Sequence, residues 1–566
     1  MKTSDAFGSL RQHLPFALIA VIAAGLIFTN LGSDYLWADE GDTAVLASNI
    51  LKFGVPKAWD GVTFMDSDFG ARENEQLVMV SSPWVQYYVT AASFLVFGQN
   101  TFAARFPFAL AGWMSILLGY FIVWQITVNR WAAFFAAVLL GLSVQFLLYS
   151  RQSRYYALSM LVTCLLIWTF FQMKSFRESV LFAVLAILLF HIHPIGIVPV
   201  GVLAILTLLH RPFAAQRPWL WLALPGIVAF TIPWFVFART GYTENAVLVP
   251  SIRDFFARFA QYLIECASVT PLVGIVVLSV VLWSQWRLGI RLLSCRERDF
   301  LLVIVAVILS YAVTMALTQR SAALWVTGAR YTSAIIPLVA MAAGILVVNV
   351  AHHRAFVWVS LLFIFAFTNL AQITPWVLWA DKNPDPENKI VAVHVPKRMV
   401  DGLVATGSLL FVRDLFRSNP GTLAASCEFL RKNARPGEVV ITNYESEPLY
   451  FHTRLPQAMK IMRQDTIYER ARRHGLPEYV FGVDHARWVV WRFNWDDYLG
   501  IRWPDVSDHL LAEGARLNDV AEIKETAWEN RENIHFHRFS GDKYLFPHGA
   551  NLQAAHIFRV DWPAGP

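Results

Sequence analysis

Between Leu14 and Trp379 the chain is a series of long apolar runs. Backbone N–H and C=O groups find no water in hydrocarbon, so an apolar run of about 20 residues spans a bilayer as a helix. From Ala380 to Pro566 the composition turns to that of a water-soluble chain. Charged residues are 16% and hydrophobic residues 56% of the 566, against about a quarter charged in a soluble protein. This unevenness excludes a single soluble globule and a disordered chain. The fold class it leaves is a polytopic α-helical membrane protein with a soluble C-terminal domain long enough to bury its own core. The division falls at residues 1–380 and 381–566, with a first outer loop over 32–102.

Hydropathy marks spans at 14–31, 103–127, 131–149, 155–173, 178–191, 193–210, 218–238, 269–286, 299–318, 331–350 and 355–375. The count is therefore eleven, with about 11 to 13 as the range because short segments are ambiguous. Pro83 to Gly98 is apolar but short, and reads as an interfacial helix. With the N-terminus inside, the inner loops hold Lys2, Arg11, Arg130, Lys174, Arg177, Arg211, Arg217, Arg287, Arg291, Arg296, Arg298 and Arg354. Residues 32–82 hold nine acids against three bases, a net charge of −6. The asymmetry follows the positive-inside rule and places the C-terminal domain outside. The net charge of +6 and pI of about 9.1 thus reflect topology, and no nucleic-acid partner is expected. The chain lacks an Asn-x-Ser/Thr sequon, and Leu14 to Leu31 is long enough to span with no cleavage site. The missing sequon favours a bacterial inner membrane over a secretory-pathway one, and the first segment reads as a span and not as a cleavable signal peptide. Cys164, Cys266, Cys295 and Cys427 show no spacing of a disulfide framework or a thiolate metal site.

Several arginines break the charge rule. Arg105, Arg151, Arg154, Arg239, Arg253, Arg258, Arg320 and Arg330 sit at outer span ends. Each is either a snorkelling anchor or part of a site for an anionic headgroup. Arg154 with Tyr155, His191 with His193, and Arg330 with Tyr331 fill successive outer turns. Arginine grips phosphate through paired donors, and histidine donates to phosphate or shuttles protons. The histidine pair is a substrate contact or a structural feature, and Tyr and Trp at these ends also form interface belts.

The acidic loop contains Trp37-Ala38-Asp39-Glu40-Gly41-Asp42, opening an amphipathic helix through Leu51. Asp39 and Glu40 either stabilise the dipole of that first turn or hold a general base at the membrane surface. Asp66 and Asp68 form a D-x-D triplet, a weak divalent-metal candidate that also suits a plain polar loop. There is no Gly-Lys dipeptide, H-E-x-x-H, G-x-S-x-G or C-x-x-C. ATP-driven transport subunits, membrane zinc proteases and lipases lose their usual signatures.

Together these motifs resemble the GT-C glycosyltransferases, within them the protein O-mannosyltransferases and the lipid A aminoarabinose transferases. The resemblance rests on Asp39-Glu40, on Ser82-Pro83-Trp84-Val85-Gln86-Tyr87-Tyr88 running to Phe97-Gly98, on Arg105-Phe106-Pro107, and on Arg330-Tyr331 with Pro337. It covers roughly residues 10–380 and implies a polyprenyl-phosphate-linked sugar as donor and a lipid, glycan or protein as acceptor. It implies Asp39 as the catalytic base, with Glu40 beside it in the catalytic site, and inversion at the anomeric carbon. The outer arginines, Arg105, Arg154 and Arg330, would hold the departing phosphate, with Tyr155, His191, His193 and Tyr331 as further substrate contacts. No cofactor is required on this reading, and a divalent metal is an option. The aminoarabinose enzymes carry a second acid near the fourth span, where this chain reads Arg154-Tyr155-Tyr156-Ala157-Leu158. Their acceptor therefore does not transfer to this chain.

Two other functions compete: a transporter or flippase of lipid-linked sugars, and a non-enzymatic assembly protein. Transporters often show repeated halves with polar sites at the midplane; here no repeat is evident and the polar clusters lie at one face. An assembly protein leaves the acidic loop unexplained. In the C-terminal domain, Leu423 to Asn433 reads as a helix, and Glu438 to Thr442, Ala486 to Arg492 and His556 to Val560 read as strands of a small α/β fold. No glycine-rich phosphate loop follows the first strand. The domain either shapes the acceptor entrance, binds a partner, or acts as a stabilising cap.

Overall fold

The computed structural model describes residues 14–65, 73–238, 251–289, 293–318, 328–352, 354–373, 407–416, 421–443, 446–458, 469, 472–493, 502–524 and 554–563. Helices dominate the first part: α1 (Leu14–Phe28), α2 (Ala38–Phe53), α3 (Val85–Phe97), α4 (Thr101–Thr127), α5 (Arg130–Leu142), α6 (Val144–Ser150), α7 (Tyr156–Gln172) and α8 (Phe176–Ile192). Then come α9 (Val198–Leu209), α10 (Arg217–Phe237), α11 (Ile252–Val269), α12 (Leu272–Arg287), α13 (Cys295–Thr318), α14 (Ile335–Ala351) and α15 (Ala355–Phe367).

Each expected span contains helix among the described residues, although the first stops at Phe28 and the last at Phe367. The third is a bent pair, with α5 and α6 meeting at 65°. Ser143 sits at that break, and its hydroxyl accepts the Phe146 N–H at 3.4 Å to start the second helix. The sixth begins with a 3-10 turn, Pro194–Ile197. Among the described residues three helices, α4, α10 and α13, are each long and apolar enough to cross a membrane. The count rises to five if the bent pairs α5–α6 and α11–α12 (95°) each act as one span. Pro83 to Gly98 forms α3, which stops at Gly98 with φ of +76°.

Helix α14 lies at the centre, buried on nearly every side from Ile335 to Val347. It packs on α5, α12 and α13. Its approach to α5 depends on Gly344, where a Cβ would stand 2.5 Å from the Ala132 carbonyl oxygen. Small residues at such crossings let helix backbones come close in lipid. Helix α4 begins at Asn100, whose side chain accepts the Ala103 N–H at 2.9 Å, and it packs between α5 and α7.

The C-terminal region contains α16 (Gly407–Leu415), α17 (Thr422–Asn433), β1 (Val439–Thr442), α18 (Ser446–Thr453), β2 (Ala486–Trp491), α19 (Trp503–Ala512), β3 (Arg516–Lys524) and β4 (Ala554–Asp561). The sheet order is β1-β2-β4-β3, with β1 parallel to β2 and the other pairs antiparallel. Helix α17 and three strands lie where the sequence suggests them. Strand β3 has no apolar run to announce it: its side chains are mostly exposed. The division at 380/381 lies outside the described residues.

The C-terminal region sits on the first loop. Tyr450, Phe451, Leu476, Val480 and Phe481 share one apolar core with Ala44, Val45 and Leu46 of α2 and Tyr87, Ala91 and Phe94 of α3. Residues about four hundred positions away in the chain thus pack on α2 and α3.

Candidate active site

The first turn of α2 carries two adjacent carboxylates that point to different places. Glu40 is fully buried. Its oxygens accept from Arg105 Nε at 2.9 Å and Nη2 at 2.7 Å. They also accept the backbone N–H of Ser153 at 2.7 Å and that of Trp37 at 3.4 Å. Arg105 spends its other donors on the carbonyls of Leu31, Asp34 and Tyr35, at 2.8 to 3.1 Å. All five guanidinium N–H groups are thus engaged within the protein, and none faces an incoming phosphate. Arg151 is similarly occupied: it donates to the carbonyls of Leu26, Ile27, Thr29 and Asn30, closing the end of α1. These two arginines hold the polypeptide that leads into α2.

Asp39 turns the other way, with 22% of its side chain exposed. Its Oδ2 lies 3.4 Å from Arg154 Nη2 and 3.5 Å from Arg330 Nη1. Arg154 also donates to the Asp39 carbonyl at 3.2 Å. Arg330 donates to the Tyr331 hydroxyl at 2.9 Å. Both ion pairs are longer than the 2.7–2.9 Å of a tight N–H to carboxylate bond. The guanidiniums are therefore near Asp39 without being saturated by it.

Aromatic rings wall this cluster. Tyr155 stacks on His193 with centroids 4.3 Å apart and meets Tyr156 edge-on at 4.6 Å. His193 lies 5.7 Å from Tyr331, and Tyr156 lies 4.7 Å from Tyr149. Arg154 lies over the Tyr155 ring and Arg330 over that of Tyr331. Several buried polar atoms here lack a hydrogen-bond partner among the described residues: Arg154 Nε, Ser153 Oγ and the hydroxyls of Tyr155 and Tyr156. Buried polar groups are almost always satisfied in a native protein, so the orphaned donors point to a polar ligand. Two guanidiniums against one carboxylate leave a surplus positive charge, which suits an anion.

Six of the residues singled out by sequence thus converge: Asp39, Arg154, Tyr155, His193, Arg330 and Tyr331. Glu40 and Arg105 form the buried pair behind them. His191 lies apart: its Nε2 is 3.0 Å from the Phe230 carbonyl oxygen, and its ring meets Trp234 edge-on at 5.8 Å. It is the last-turn residue of α8, facing α10, whereas His193 follows the helix end with φ of −158° and turns inward. Asp66 and Asp68 lie outside the described residues. Among the described residues no three His, Cys, Asp or Glu gather as metal ligands. Sequence reasoning missed Tyr156; its place in the Arg154-Tyr155-Tyr156 run was the available signal.

Residues 81–237 match the family model of the dolichyl-phosphate-mannose-protein mannosyltransferases. That segment includes Arg105, Arg154, Tyr155 and His193 and stops short of Asp39 and Arg330. Among solved structures, apo ArnT from Cupriavidus metallidurans has a TM-score of 0.55 at 18% identity, over 89% of this chain and 96% of that one. This chain has a GT-C fold. ArnT bound to undecaprenyl phosphate gives a TM-score of 0.52 at 17% identity with the same coverage. A weaker likeness, with a TM-score of 0.47 at 10% identity, is to the apo oligosaccharyltransferase of Archaeoglobus fulgidus, covering 86% of this chain and 70% of that one. No curated protein sequence is found to match this chain.

Proposed function

We propose that this protein is a membrane glycosyltransferase that moves a sugar from a polyprenyl-phosphate donor to a lipid, glycan or protein acceptor, with Asp39 as general base. The observation that carries the reading is the pair Arg154 and Arg330 converging on one accessible carboxylate, at 3.4 and 3.5 Å. That arrangement supplies what the reaction needs on both sides of the anomeric carbon. Arg154, Arg330 and the unpartnered hydroxyls of Tyr155 and Tyr156 bind the lipid phosphate and stabilise the charge it gains as the C1–O bond breaks. Asp39 takes the proton of the acceptor hydroxyl as its oxygen bonds to C1 from the opposite face. The electron pair of the broken bond stays on the phosphate oxygen, and the configuration at C1 inverts. Donor phosphate competes with Asp39 for the two guanidiniums, and that frees the carboxylate to accept a proton.

In this reading Glu40 and Arg105 are positioning residues. The matched family and the undecaprenyl phosphate bound by ArnT support the class of donor. The apolar helices and the acidic first loop support an inner-membrane protein with a cytoplasmic N-terminus and the site facing the periplasm. A phosphate so held leaves without a metal, and none is required.

The test is transfer of label from radiolabelled polyprenyl-phosphate sugars to membrane acceptors. Wild type and Asp39→Asn are compared, with and without a chelator. Wild type transfers label. Asp39→Asn loses about 100-fold or more of the rate while still binding the lipid, and the chelator changes neither. Equal transfer by wild type and Asp39→Asn would overturn the assignment of the base.

A further inference from the structure

The segment that delivers Asp39 to the site is gripped from two sides. On the membrane side Arg105 holds the carbonyls of Leu31, Asp34 and Tyr35. On the other side is α18 of the C-terminal region. The Leu36 N–H donates to His452 Nε2 at 3.1 Å, and the Tyr35 ring stacks on the His452 ring at 4.0 Å. Arg431 braces the pair: its Nη1 donates to the Tyr35 hydroxyl at 2.6 Å, and its Nε and Nη2 donate to the His452 carbonyl. One helical turn further, Gly41 abuts Pro448 so closely that a Cβ on Gly41 would stand 2.4 to 2.6 Å from Pro448 Cδ, N and Cγ. Asp39 lies between these two grips, three residues after Leu36 and two before Gly41.

More contacts keep α18 in register. The Tyr450 hydroxyl bonds the Asp60 carboxylate. The Gln457 N–H donates to Thr63 Oγ1 at 3.2 Å, and Arg454 donates to Gln99 at 3.0 Å. Gln99 in turn accepts from Ser48 of α2 at 3.2 Å. None of these contacts is to Arg154 or Arg330, so α18 bears on the segment that carries Asp39.

We propose that α18 positions Asp39 through His452 and Pro448, so that the C-terminal region sets the rate of sugar transfer and not the capture of the lipid donor. This inference rests on the role of Asp39 proposed above. Misplacing a reacting group by about 1 Å can cost about 100-fold in rate without touching the chemistry.

The experiment uses the full-length protein in lipid vesicles, with His452→Ala, His452→Gln, Gly41→Ala and Asp39→Asn beside wild type. Donor KM and kcat are read together with amide hydrogen exchange over residues 35–41. His452→Ala and Gly41→Ala are expected to lower kcat by about 10- to 100-fold, to leave donor KM within about threefold, and to speed exchange over 35–41. His452→Gln recovers most of the rate, because its side-chain carbonyl accepts the Leu36 N–H as the imidazole does. An unchanged kcat in both His452→Ala and Gly41→Ala, with Asp39→Asn inactive, would sink the positioning role and leave the reading of Asp39 intact. A raised donor KM with unchanged kcat would do the same. If Asp39→Asn stays active, the assigned base is wrong, and unchanged exchange in His452→Ala would then independently refute the grip.

Discussion

At the scale of single residues, Asp39 and Glu40 show how neighbours in one helical turn acquire opposite roles. Successive side chains on a helix point about 100° apart, so one carboxylate faces Arg154 and Arg330 while the next faces Arg105. Glu40 is wholly buried against Arg105. Removing one partner of such a pair leaves an uncompensated buried charge and costs about 3–5 kcal/mol. Glu40→Gln is therefore expected to lower the thermal midpoint of the detergent-solubilised protein markedly. Asp39→Asn, at a part-exposed position with longer ion pairs of 3.4 and 3.5 Å, is expected to lower the midpoint much less than Glu40→Gln, so that its loss of transfer is mainly a chemical effect. A thermal-shift comparison of the two variants checks the contrast. Equal destabilisation by both would refute it. Sequence reasoning ranked both acids as one catalytic pair because nothing local shows that Arg105, sixty-five residues on, claims one of them.

At the scale of elements, the bundle depends on close helix crossings. Gly344 of α14 faces the backbone of α5, where an added Cβ meets the Ala132 oxygen at 2.5 Å. Backbone cannot rotate out of the way as a side chain does, so the helices must separate. Gly344→Ala is expected to destabilise by about 1–3 kcal/mol, as overpacking does. Gly201 of α9 has nothing within 4 Å of an added Cβ, and Gly201→Ala is expected to be neutral or slightly stabilising through helix propensity. The two unfolding midpoints, measured in the same detergent, decide it. Hydropathy finds α5, α9 and α14 alike, because apolar content is local. It does not show which helix is central. Nor does it show the 65° break at Ser143 or the 95° break between α11 and α12, which packing and capping set.

At the scale of the whole molecule, the C-terminal region and the first loop share one core and one histidine. Burial, helped by Arg431, Arg105 and Arg454, pushes the His452 imidazole down to about 3 from its ordinary 6.5. The imidazole is thus neutral when docked, as its role as acceptor for the Leu36 N–H requires. Between these values the unfolded or undocked form binds a proton that the docked form does not, so stability rises with pH across that window. Acidification below about pH 6.5 is expected to weaken the docking progressively. The readout is hydrogen exchange over residues 35–41 between pH 7 and pH 4, corrected for the intrinsic pH dependence of exchange. His452→Gln, which has no proton to gain, should lose this part of the slope; an unchanged slope in that variant would exclude His452 as its source.

The sequence by itself determined the helical membrane body, the small sheet region after it, and the acids, arginines and tyrosines from which the site is drawn. These follow from hydropathy, periodicity and the cost of placing charge near lipid, all of which act along the chain. Tertiary structure alone decided that Asp39 and not Glu40 faces Arg154 and Arg330, that His193 enters the cluster while His191 turns to α10, and that Arg105 clamps the loop. It alone also placed α18 against α2, through Pro448 on Gly41 and His452 on Leu36. Each of those outcomes depends on the rotation of a helix and on partners distant in sequence, 416 residues apart for Leu36 and His452. Only the packing of the complete chain specifies them, because a side chain's partner is set by where the backbone carries it in space and not by its neighbours in sequence.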